Sequence, residues 1–166
     1  MSTLNPYAAH IGNAAPLETI AATPARLREL VAAIGPARLT PLPAPGKWSA
    51  RDIVCHLADT EIAFGFRLRQ ALAEPHHVIQ PFDQDLWAAR YGDADIQLAL
   101  NLMEAVRAAN LALLRSLTAA DLAKPVTHPE RGLMTLATVL ETMAGHDRNH
   151  IRQIEAIAAQ AAGAGN

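Results

Sequence analysis

The chain of 166 residues has a single cysteine, seven aromatic residues (two Trp, two Tyr, three Phe) and no surplus of positive charge. One cysteine, Cys55, excludes an intramolecular disulfide framework and fits a reducing compartment. A formal net charge of -2 with scattered basic residues offers no electrostatic footprint for a phosphate backbone, which argues against a nucleic-acid partner. Long apolar runs are also missing. Each is broken by charges at helical spacing, so none reaches the roughly twenty residues that span a membrane. The opening Met1-Ser2-Thr3-Leu4-Asn5-Pro6 lacks the basic start and apolar run of a secretory signal. Together these absences predict a soluble, cytoplasmic protein.

Half of the residues are hydrophobic, dominated by alanine and leucine, and β-branched runs are few. That composition favours helix, and the length suits one domain with a sizeable core. Met1 to Ala15 shows no periodicity and reads as a mobile arm, with His10 a solvated bystander. Leu17, Ile20, Leu27, Val31 and Ile34 then keep a helical period through Pro24, predicting one kinked helix that Gly35 and Pro36 stop. Ser49 and Asp52 resemble a capping box. The helix they open carries Ile53, Leu57, Thr60, Phe64 and Leu68 inward and ends at Glu74-Pro75. A third helix is expected from about Asp93 to Leu117, capped by Asp93 or Asp95, and a fourth from near Thr135. Four amphipathic helices joined by long connections predict an all-α four-helix bundle over residues 16–161, with a disordered tail at 162–166.

In the fourth helix Val139, Met143, His146, His150, Ile154 and Ile157 recur every three or four residues and so share one stripe. Two imidazoles therefore face the core, where an unpaired polar group costs roughly 1–3 kcal/mol. A divalent metal shared between them satisfies one nitrogen of each ring. His56, on the flank of the second helix's inner stripe, is the natural third donor. Three protein ligands leave a position for water or substrate, as catalytic zinc sites do. Imidazole suits zinc, nickel, iron or manganese. Cys55 points about 100° away from His56 and reads as a packed core thiol. Glu61, Asp59, Asp83 and Asp147 are candidates for orienting ligands or moving protons, although each type is usually a solvated charge or helix cap. His76, His77 and His128 fall in loops and are assigned to the surface. Trp48 and Trp87 are expected to anchor loops onto the bundle.

The segments Trp48-Ser49-Ala50-Arg51-Asp52-Ile53-Val54-Cys55-His56-Leu57-Ala58-Asp59-Thr60-Glu61 and Gly145-His146-Asp147-Arg148-Asn149-His150-Ile151-Arg152-Gln153-Ile154 resemble the DinB-like (DinB/YfiT) superfamily. The resemblance covers about Pro45 to Ile157. It implies an up-down-down-up four-helix bundle, a metal triad of His56, His146 and His150, zinc or nickel as the metal, and a homodimer. It further implies a low-molecular-weight thiol as cosubstrate, since relatives include bacillithiol- or mycothiol-dependent transferases and isomerases. Asn149 stands where many relatives carry a further His. Three functions follow: a metal-dependent thiol S-transferase acting on a small molecule, a non-catalytic stress-associated metal-binding bundle, and a metal-assisted hydrolase using the same triad.

Overall fold

The computed structural model describes residues 4–163. In chain order these form α1 (Ala8–Ile11), α2 (Pro16–Ile34), a 3₁₀ turn (Pro36–Arg38), α3 (Ala50–Ala73), β1 (His77–Val78), α4 (Gln84–Ala88), α5 (Ile96–Arg115), α6 (Ala119–Leu122), β2 (Pro125–His128), β3 (Gly132–Thr135) and α7 (Leu136–Gly163). Among the described residues, no helix is long and apolar enough to cross a membrane.

The four long helices start and stop where local chemistry dictates. Pro16 occupies the first turn of α2, where its missing N–H costs nothing, and Gly35 at φ 76° ends it. Ser49 caps α3 through the reciprocal box with Asp52, at 3.1 and 3.0 Å. Asp95 caps α5 by accepting from the N–H groups of Gln97 and Leu98. Pro24 lies inside α2, so the Ile20 carbonyl four residues earlier loses its helical donor. The Nη1 of Arg107, from α5, fills that place at 2.5 Å.

The helices pack in the ring order α2, α7, α3, α5, which sets α2 diagonally from α3 and α5 from α7. Side-chain pairings fix their directions. Arg26 on α2 meets Glu155, and Arg38 in the turn just beyond α2 meets Ala161 further along α7, so those helices are parallel. Ile20–Arg107 and Arg28–Glu104 run in opposite senses along α2 and α5. Trp48 meets His150 whereas Phe64 meets His146, so α3 and α7 are antiparallel. The result is the expected up-down-down-up bundle.

Two features depart from the sequence reading. The long connections hold a small sheet of order β1-β2-β3, parallel between the first two strands and antiparallel between the last two. Its strands are too short for alternation to stand out, and β1 meets β2 only through pairing across some fifty residues of chain. The proposed N-terminal arm is, from residue 4 on, part of the fold. Asn5 and Ile11 are buried, and Ile11 joins the core containing Ile20 and Met143. A single helical turn is too brief to show a period, which is why the sequence hid it. Gly145 admits this segment: a Cβ there would lie 2.6 Å from the Tyr7 carbonyl oxygen. The parts of the expected arm and tail at 1–3 and 164–166 lie outside the described residues.

The apolar interior divides into two clusters. One contains Ile20, Phe64, Leu68, Leu111, Leu114, Val139 and Met143; the other contains Leu27, Ile53, Leu57, Met103 and Ile154. Where they meet, the bundle is polar.

Candidate metal centre

His56 on α3 and His146 and His150 on α7 converge at this polar level. All three are buried, and one nitrogen of each ring lies within 4.8 Å of the others. The spacing of four residues stacks His146 over His150 on one face of α7, with ring centroids 4.5 Å apart. The antiparallel α3 delivers His56 opposite both, at 5.0 and 4.8 Å. The sequence therefore names the three rings that meet.

Their chemistry suits a cation. The Nε2 atoms of His56 and His146 stand 2.9 Å apart, while two nitrogens each about 2.0–2.1 Å from a zinc ion at a tetrahedral angle stand roughly 3.3 Å apart. Burial, reinforced by the neighbouring His150, pushes His56 down to about 3. Burial likewise holds His146 well below the usual imidazole range, and it lowers His150 against the opposing pull of Gln153 and Asp147. All three rings are thus neutral at physiological pH, the state in which imidazole offers a lone pair. His150 Nδ1–H donates to Gln153 Oε1 at 2.9 Å, which leaves its Nε2 free for the cluster. His146 Nδ1 is buried without a partner. A divalent ion fits this donor set, and His56, His146 and His150 are the residues that would hold it.

Aromatic rings enclose the triad. Trp48 lies nearly parallel to His150, with centroids 6.1 Å apart at 13°, and 4.7 Å from His56. It lines a cavity of about 570 Å³ bordered by Ile53, Asn149, His150 and Ile157, so it shapes the site as well as tying its loop down. Tyr7 meets His146 edge-on at 5.2 Å. A second cavity, of about 350 Å³, reaches His56 and His146. Tyr7 and Gln84 border both. Trp87 instead stacks on Phe82 at 4.3 Å and stays partly exposed.

Two carboxylates expected in solvent are buried. Glu61 and Asp147 are 1% and 2% exposed, and Arg107, itself 1% exposed, links them through Nη2 and Nη1 at 2.7 Å each. Asn110 donates to the other oxygen of Glu61, at 2.7 Å. Burial pushes the Glu61 carboxyl up, opposed by Arg107 and Asn110. Arg107 loses from burial but gains more from Asp147 and Glu61, and stays charged. This knot joins all four long helices one residue from His146. Sequence reasoning missed Arg107 because its partners lie 40 and 46 residues away, and charge is ordinarily a surface mark.

Asp59 accepts from the Tyr91 hydroxyl at 2.8 Å, and Asp83 caps α4, both away from the triad. Cys55 is buried as expected, its thiol pushed up to about 11 by burial and by Asp52. His76 is exposed and bonds Thr127. His77 and His128 are buried, contrary to their expected surface placement, because they belong to strands β1 and β2 of the small sheet and lie at its buried positions.

Set beside known proteins, the chain and its bundle fall in one class. Residues 19–154 match the DinB superfamily, and the chain belongs to it. It is 32% identical over 113 residues to a protein of Oceanobacillus iheyensis and 24% identical over 140 residues to one of Halalkalibacterium halodurans. Both are provisionally named metal-dependent hydrolases. The first alignment covers 68% of this chain and 66% of the relative, and the second 84% and 82%. The chain thus spans just under two thirds of the Oceanobacillus protein. Among solved structures it is similar to YfiT from Bacillus subtilis, described as a probable metal-dependent hydrolase with an unusual four-helix bundle topology. The TM-score is 0.81 at 26% identity over 87% of this chain and 85% of that one. A mycothiol-dependent maleylpyruvate isomerase shares the fold, with a TM-score of 0.67 at 14% identity, 82% of this chain and 58% of the other being covered.

Proposed function

We propose that this protein is a metal-dependent hydrolase in which His56, His146 and His150 hold one divalent ion. The observation that carries the reading is the convergence of three buried imidazoles that border two cavities. Such an ion supplies a Lewis acid that lowers the pKa of water and polarises a carbonyl or phosphoryl oxygen. The chain does the rest. Gln153 fixes the His150 tautomer, and Trp48 shields His56 and His150 from bulk water. The Thr60 and Thr142 hydroxyls are turned back onto carbonyls of their own helices. Tyr7 and Gln84, common to both cavities, remain to orient a substrate lying across the triad. Burial pushes the Tyr7 phenol up, against the pull of Arg131, so it keeps its proton and serves as a hydrogen-bond donor.

The hydrolase reading has support from the names of the relatives. The thiol S-transferase has less, because the mycothiol-dependent enzyme is a likeness of fold alone. A purely structural metal site fits poorly with histidines that border two cavities.

The test begins with elemental analysis of protein purified without a metal-binding tag. We expect about one divalent ion per chain, lost in His146→Ala. A panel of esters, amides and phosphoesters then follows, with chelated and metal-restored protein side by side. Hydrolysis that survives both chelation and His146→Ala overturns the proposal.

A further inference from the structure

We propose that the smaller cavity is an oxyanion subsite, where Arg67, Arg131 and His128 receive a carboxylate or phosphate group of the substrate beside the bond cleaved at the triad. Arg67 lies eleven residues, about three helical turns, beyond His56 and so on the same face of α3. Its Cζ sits 5.7 Å from the Phe64 ring centroid and 5.4 Å from that of Phe82. This cradle fixes a planar guanidinium while using few of its five donors; the one hydrogen bond it makes is to the Gln80 carbonyl, at 3.2 Å. Arg131 enters from the β2–β3 turn and is partly buried.

His128 adds a donor of fixed direction. Its Nδ1 accepts the Glu130 backbone N–H at 3.2 Å, so in the neutral ring the proton resides on Nε2. Glu130 borders the same cavity, but among the described residues neither arginine forms an ion pair with it or any other carboxylate. Two half-buried cations thus line one cavity without an ion pair among the described residues. Burial and the Arg131 charge both pull Arg67 below its usual range. An oxyanion would relieve that repulsion and accept charge-assisted, bidentate hydrogen bonds. Three neutral ligands would leave the charge of a metal ion uncompensated, which adds to the attraction for an anion. The larger cavity offers Trp48, Ile53 and Ile157 to the other, more apolar half of the substrate.

This inference rests on the hydrolase reading for the word substrate, but anion binding is tested without catalysis. Inorganic phosphate, acetate and succinate are titrated separately into metal-free full-length protein by calorimetry. Wild type is expected to bind at least one of them saturably, and which one distinguishes phosphate from carboxylate substrates. Arg131→Gln and Arg67→Gln each weaken that binding by about tenfold or more, the factor a lost charged hydrogen bond costs. Arg115→Gln removes the same charge outside both cavities and leaves affinity at the wild-type value. Circular dichroism identifies any variant that fails to fold, and Arg131, in a turn, is the safer of the two. No saturable binding of any of the three anions, or equal weakening by Arg115→Gln, overturns the subsite. The second measurement uses metal-loaded protein with p-nitrophenyl acetate and its hemisuccinate analogue. Preference for the anionic ester is expected in wild type and is lost in Arg131→Gln. Anion binding with no hydrolysis of any ester, amide or phosphoester would defeat the proposed function and leave the subsite standing.

Discussion

Gln153 Oε1 stands 2.9 Å from His150 Nδ1, and that contact decides which nitrogen of the ring faces His56 and His146. A leucine in its place cannot accept the proton and leaves the ring free to turn. Gln153→Leu is therefore expected to weaken metal affinity about 10–100-fold, as loss of a ligand's outer hydrogen bond does. Competition against a chromophoric chelator measures it. Gln153→Glu, which keeps the acceptor, should retain tight binding.

Arg107 carries the buried polar knot. Replacing it by methionine strands Glu61 and Asp147 without their cation and leaves the Ile20 carbonyl unbonded. Breaking one side of a buried ion pair costs about 3–5 kcal/mol. Arg107→Met should lose stability of that order in denaturant melts. A loss below about 1 kcal/mol would mean that the carboxylates find protons or water with ease.

Metal-free protein should be acid-sensitive. The folded-state pKa of His56 lies at about 3, and those of His146 and His150 are also lowered, whereas an unfolded chain binds its histidine protons near the ordinary value of about 6.5. Below that value the unfolded state holds more protons, so stability falls as pH drops from about 6.5 toward 3 and is fully present above 6.5. The melting temperature of chelated wild type should therefore fall more steeply over this window than that of His56→Leu/His146→Leu. Equal slopes would place the acid sensitivity elsewhere.

Gly145→Ala probes the docking of the amino-terminal segment. The added methyl would come within 2.6 Å of the Tyr7 carbonyl oxygen and 2.7 Å of its Cβ, so the segment must move. Overpacking of this kind costs about 1–3 kcal/mol. Tyr7 would also leave its edge contact with His146, which the ring resonances of His146 report in proton NMR.

These sites show what one-dimensional patterning carries. The helix 16–34 ran through Pro24 as expected, and the caps at Ser49 and Asp95 were readable, because side chains within three residues of one another decide them. His146 and His150 were legible for the same reason, being one turn apart, and His56 because it lay beside a strong apolar stripe. Glu61 and Asp147 were misread because only their neighbour Arg107, from another helix, makes their burial tolerable. His77 and His128 are buried in the strands of a sheet that no local alternation announced. Arg67 carries a readable spacing from His56, yet its aromatic cradle includes Phe82, from a loop whose course the sequence leaves open.

Because Tyr7 and Gln84 border both hollows, the two cavities adjoin beside the imidazole cluster rather than standing apart. An elongated molecule could occupy both at once. On the proposed hydrolase reading, the acidic fragment of a cut substrate would depart past the arginines and its apolar fragment past Trp48, so that neither would wait for the other to leave.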